Sequence, residues 1–104
     1  MTAYDDWSAA TGQTFDAEAG NGERHSLRLA SVSPARRANG WLGYSLHFAT
    51  APDSPLQQQT YELSGAGIAE AVFLVPTGRT ADALTLEAVF MVPDPAADPD
   101  EEKR

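Results

Sequence analysis

A chain of 104 residues, 42% apolar and 21% charged, has the make-up of one soluble globular domain that buries about two-thirds of its unfolded surface. Its net charge of −8, from 15 acidic against 7 basic residues with a single lysine, argues against nucleic acid or an anionic membrane as partner, since both attract clustered Lys and Arg. Five acids against Lys103 and Arg104 leave −3 on the last eleven residues and −5 on the rest. With no cysteine there is no disulfide, and compartment is left open. The opening residues lack the basic and apolar regions of a secretory signal. The longest apolar run, residues 71–76, is far short of the roughly 18 residues that a spanning helix needs. A cytoplasmic protein is expected, or one exported without a leader as part of an assembly.

Residues 4–12 predict one short helix. Asp5 or Asp6 can cap its first turn, Tyr4, Trp7 and Ala10 or Thr11 form an apolar stripe, and Gly12 can supply a left-handed end. So short a helix must lie against something. Residues 13–17 alternate about Phe15, and a turn with an Asn21-Gly22 step follows. The next strand, 25–32, carries Leu27 and Leu29 on one face; Val32 breaks the alternation, which predicts a bulge or the strand's end near Ser31. Residues 34–43 read as a loop. Tyr44, Leu46 and Phe48 then mark the buried face of a strand over 44–50. A second loop over 51–58 leads to a short strand over 60–63, with Tyr61 and Leu63 inward, and Gly65-Ala66-Gly67 turns the chain.

The strongest local signal comes next. Apolar segments at 69–75 and 84–92, joined by the polar stretch 76–83, read as a β-hairpin with an eight-residue loop. The whole pattern predicts a mainly β fold: a small antiparallel six-stranded barrel or sandwich with one short N-terminal helix. Residues 1–92 form the single domain, and 93–104 an acidic, proline-containing tail that is expected to be disordered.

The hairpin is apolar at both parities. Ala71, Phe73 and Val75 share one face with the core, and Val72, Leu74, Val89 and Met91 are expected on the other. Such side chains left in water forgo about 1.5–3 kcal/mol each and make an adhesive patch. Either the helix covers them, with Trp7 on Leu74 and Met91, or a partner or second subunit does.

Little chemistry is encoded. His25 and His47 fall on different strands without metal-ligand spacing, and the acidic tail lacks a calcium loop's spaced ligands. No G-x-S-x-G elbow occurs, and Gly65-Ala66-Gly67 lacks the lysine of a phosphate loop. Glu62, Glu70 and Glu87 read as outward strand positions rather than a glycosidase pair. The expectation is therefore a protein that is not an enzyme and has no cofactor or metal. For recognition there are Trp41 and Tyr44, flanking Gly43 at the end of a stretch with Arg36 and Arg37. Aromatics beside arginine are what interface hot spots use, and aromatics also stack on sugars. The simpler reading is that Trp41 closes the end of the barrel.

An opening that ends in Gly12-Gln13-Thr14-Phe15, a strand near 27–32, and Tyr44-Ser45-Leu46-His47-Phe48 are followed by Gln59-Thr60-Tyr61-Glu62-Leu63. Then come Val72-Phe73-Leu74-Val75-Pro76 with Gly78, and Leu86-Glu87-Ala88-Val89-Phe90. In this layout, from about residue 4 to 92, the chain resembles a small bacterial family of domains of unknown function. The VFLVP…G…LEAVF pair is the most specific part; the alanine-rich turn at Gly65 and the acidic tail depart from the pattern. The resemblance implies a compact β domain and names no catalytic residue. Members are similar to accessory proteins encoded near phage-tail-collar-like fibre proteins, which implies a structural or assembly role. The expected function is a non-enzymatic interaction module, an accessory of a tail- or fibre-like assembly that binds a protein partner or itself. Its surfaces would be Val72, Leu74, Val89, Met91 and Arg36, Arg37, Trp41, Tyr44. The alternative is a small-ligand or carbohydrate-binding module using Trp41 and Tyr44.

Overall fold

The computed structural model describes residues 3–94. One helix, α1 (Tyr4–Ala9), precedes seven strands: β1 (Thr14–Glu18), β2 (Arg24–Val32), β3 (Arg36–Ala38), β4 (Trp41–Thr50), β5 (Gln59–Gly65), β6 (Ile68–Arg79) and β7 (Leu84–Pro93). Six of them close into an antiparallel ring, β2-β1-β5-β6-β7-β4, with β2 also pairing with β4. β3 is an extra strand on the edge of β4. The fold is thus the barrel of the two expected architectures. Period-2 alternation explains it: each ring strand turns one apolar face inward. Phe15 and Ala17, Leu27 and Leu29, Leu46 and Phe48, Tyr61 and Leu63, Val72 and Leu74, and Leu86 and Ala88 are all buried.

Two tight turns set the registers. Asn39 (φ 54°) and Gly40 (φ 82°) form a two-residue loop between Ala38 and Trp41, which are paired. The expected loop over 34–43 therefore holds a hairpin arm, because Asn-Gly is suited to the left-handed turn that a hairpin prefers. Ala66 (φ 52°) and Gly67 (φ 78°) do the same between Gly65 and Ile68. Gly65 is required for another reason: a Cβ there would lie 2.8 Å from the Thr14 carbonyl oxygen, where β1 crosses close to β5. The bulge near Ser31 is present as a register shift between Leu29 and Ser31 opposite β4.

Each end of the barrel is stoppered. Loop 51–58 covers one end with buried Leu56. The Tyr61 hydroxyl donates to the Gln57 carbonyl at 2.6 Å and accepts from the Gln57 N–H at 3.2 Å. Arg79 donates to the carbonyls of Pro52 and Ser54. At the other end, which we call the mouth, α1 lays Trp7 against Phe15 and Phe90, with ring centroids 5.8 and 6.2 Å apart. Trp7 is fully buried, and its Nε1 has no hydrogen-bond partner among the described residues. The expected placement of Trp7 on Leu74 and Met91 is therefore corrected: it fills the mouth from within. The helix starts at Ala3 without a side-chain cap; Asp5 and Asp6 sit in its first turn, where carboxylates favour the positive helix end. Gly12 (φ 89°) donates its N–H to Leu29 rather than capping the helix.

The main correction concerns the hairpin. Its loop is four residues, 80–83, because β6 runs on to Arg79 and absorbs Pro76 at a register shift before Gly78. More important, β6 has the opposite phase to the one expected. The Gly65↔Ile68 turn carries Tyr61 opposite Val72 and Leu63 opposite Glu70, so residues opposite inward side chains are inward too. Val72 and Leu74 are core, and Phe73 is half-exposed. Glu70, expected outward, shares the inward phase and is partly buried. Pro93 and Asp94, expected in the tail, belong to the fold: Pro93 ends β7, and Asp94 donates its N–H to Gly40. The rest of the expected tail lies outside the described residues.

Candidate functional site

Outside the ring, β3, β4 and β7 form a three-stranded face whose register places its side chains in rows. Ala38, Trp41 and Pro93 make the first; Arg36, Gly43 and Met91 the second; Ser45 and Val89 the third. His47 and Glu87 close the series, with Nε2 and Oε2 3.7 Å apart. Small residues along the middle of a face ringed by large ones leave a hollow. It has a volume of about 670 Å³ and is lined by Pro34, Arg36, Trp41, Gly43, Val89 and Met91 among others. Gly43 makes its floor: a Cβ there would lie 3.4 Å from Met91 Cε and 3.5 Å from Sδ, so the methionine lies across β4 at van der Waals distance.

The exposure of this face is unusual for its chemistry. Trp41 is 48% exposed, Val89 72% and Met91 66%. Thr85 and Glu87, in the same outward phase of β7, show the polar residues that such positions ordinarily carry. Charge is also uneven. Arg37 Nε pairs with Asp94 Oδ2 at 3.0 Å, and that carboxylate is nearly buried. Arg36 points to the other side of β3 and, among the described residues, has no ion-pair partner.

The expected site residues therefore divide. Trp41, Val89, Met91 and Arg36 come together on one outer face. Arg37 is used in the clasp to Asp94. Val72 and Leu74 are corrected to the barrel interior. Tyr44 borders the hollow, but its ring turns inward, stacked on Phe90 at 5.2 Å and edge-on to Tyr4 at 4.9 Å. Burial first, then the nearby Glu70 and Tyr4, pushes its phenol above the ordinary value. Trp41 and Tyr44 lie on opposite faces of β4, and Trp41 does not close the barrel. Sequence reading missed Pro34, Ser33 and Ser45 in the lining and the exposure of Phe73. Counting parity outward from the Asn39-Gly40 and Ala66-Gly67 turns would have found the last two.

Elsewhere, His25 lies 3.6 Å from Glu23, and among the described residues no group of three or more His, Asp and Glu could hold a metal ion. No helix among them is long and apolar enough to cross a membrane. Residues 2–90 match the model of a family described as a domain of unknown function, DUF6916, and the chain belongs to that family. No curated protein and no solved structure matches the chain.

Proposed function

We propose that this member of the DUF6916 family is a non-enzymatic interaction module that docks a protein partner on the outer face of β3, β4 and β7. The carrying observation is the half-exposed Trp41 in one hollow with exposed Val89 and Met91. Fully burying a side chain of this size is worth about 1.5–3 kcal/mol, and each of these forgoes part of that in the isolated domain. A partner that covers them recovers it. Tryptophan and arginine are also the residues that interface hot spots favour. The resemblance to accessory proteins encoded near phage-tail-collar-like fibre proteins supports a tail- or fibre-type assembly as the setting. The carbohydrate-binding alternative is supported less, because Tyr44 turns its ring inward and leaves Trp41 as a lone platform.

The test is a photo-crosslinking side chain at position 41 or 89, with position 62 on the far side of the barrel as control, in the cells that make the protein. The proposal expects one discrete protein adduct at 41 and 89 and none at 62. Adducts of equal yield at all three positions, or none, would overturn it.

A further inference from the structure

Resting on the docking reading above, we infer that the partner element seated in this hollow carries a carboxylate two residues from an apolar side chain. The carboxylate meets Arg36, and the apolar group lies against Trp41, Met91 and Val89. Among the described residues, Arg36 is the one charged residue lining the hollow. On the other side of β3, Asp94 is held by Arg37. The neighbours of Arg36 in the lining (Pro34, Ala38, Trp41, Gly43 and Met91) offer no counter-charge. A guanidinium binds a carboxylate in a two-pronged, charge-assisted contact, and that contact gains strength where apolar surface excludes water.

The spacing follows from the register. Arg36 and Met91 flank Gly43 in one row, and each strand step is about 4.8 Å. Trp41 and Val89 stand in the rows on either side. Two side chains on the same face of an extended segment are about 6.8 Å apart, close to the roughly 7–8 Å diagonal from Arg36 to Trp41, so the apolar group seats on Trp41 and reaches on toward Met91 and Val89. A second copy of the chain fits less well, because two bodies of net charge −8 repel as they approach.

Two synthetic peptides test this: acetyl-Ser-Phe-Ser-Glu-Ser amide and its counterpart with Gln in place of Glu. Trp7 is buried and Trp41 half-exposed, so the fluorescence of Trp41 reports occupancy of the hollow, and amide chemical shifts in β3, β4 and β7 locate it. The expected result is that the acidic peptide binds about tenfold tighter than the neutral one, as a hydrogen-bonded charge contact implies. Arg36→Gln erases that difference, added salt narrows it, and Trp41→Ala weakens both peptides. Equal binding of the two peptides, or no response from either, overturns the inference. So does a Trp41 signal that changes with protein concentration alone, which would assign the hollow to a second copy. The crosslinking test separates the two claims: if Arg36→Gln keeps the full adduct at position 89, the partner docks without the carboxylate contact.

Discussion

The mouth of the barrel and the outer face of β3, β4 and β7 each hold one of the chain's 2 tryptophans, and the two are used in opposite ways. Trp7 is fully buried, ringed by Phe15 and Phe90. It is kept there although its Nε1 finds no partner among the described residues, a cost of about 1–3 kcal/mol. Shape-filling outweighs that cost where a six-residue helix must stopper the ring. Trp41 stands half in water, paired with Pro93 and with Met91 in the next row of the outer face. The difference teaches that in this chain burial, and not residue type, separates what holds the fold from what is free to bind.

The comparison breaks most sharply with a charge. Leu74→Asp buries an uncompensated carboxylate in the ring, and loss of the folded state is expected by circular dichroism. Met91→Asp, on the outer face, keeps the fold within about 0.5 kcal/mol of the parent. If both fold equally well, the phase assigned to β6 is wrong. Next in size, Trp7→Ala is expected to cost about 3–5 kcal/mol in urea unfolding, since the fully buried indole packs against both Phe15 and Phe90.

The glycines sharpen the same contrast. At Gly65 a Cβ meets the Thr14 backbone oxygen at 2.8 Å, which cannot move without breaking the ring; at Gly43 it meets only the flexible end of Met91 at 3.4 Å. Gly65→Ala should therefore cost about 1–3 kcal/mol, and Gly43→Ala much less. Comparable losses in thermal melts would contradict the account. The smallest effect concerns pH. The Tyr44 phenol is raised by burial, by Glu70 and by Tyr4, so the fold favours its neutral form. That contribution is present below the ordinary phenol value near 10 and is lost as pH rises through the raised one. Tyr44→Phe is expected to flatten the alkaline limb of a stability–pH profile and leave the neutral region unchanged.

The fold was largely legible where alternation was clean. Tyr44, Leu46 and Phe48, like Leu27 and Leu29, could only face a core, and the bulge near Ser31 followed from Val32. The hairpin at β6 was harder to read because 71–75 is apolar at both parities, so hydrophobicity could not choose a face. The choice is made by the two-residue turn at Ala66-Gly67, which ties Val72 to Tyr61. The same oversight hid β3, whose exposed residues carry no alternation and whose existence rests on Asn39-Gly40. Half of the candidate site was readable as residues: Trp41, Arg36, Val89 and Met91. Their meeting on one face was not, because it depends on β4 pairing with β7 across some fifty positions of sequence, which no local pattern encodes.

The central claim is that the outer face is held for a partner and not for the fold. Its most direct measurement is the urea unfolding free energy of the double variant Trp41→Ser/Met91→Ser, taken beside its crosslinking yield from position 89. The account predicts stability within about 0.5 kcal/mol of the parent together with loss of the adduct. A loss of about 2 kcal/mol or more with the adduct retained would show that these side chains serve the barrel.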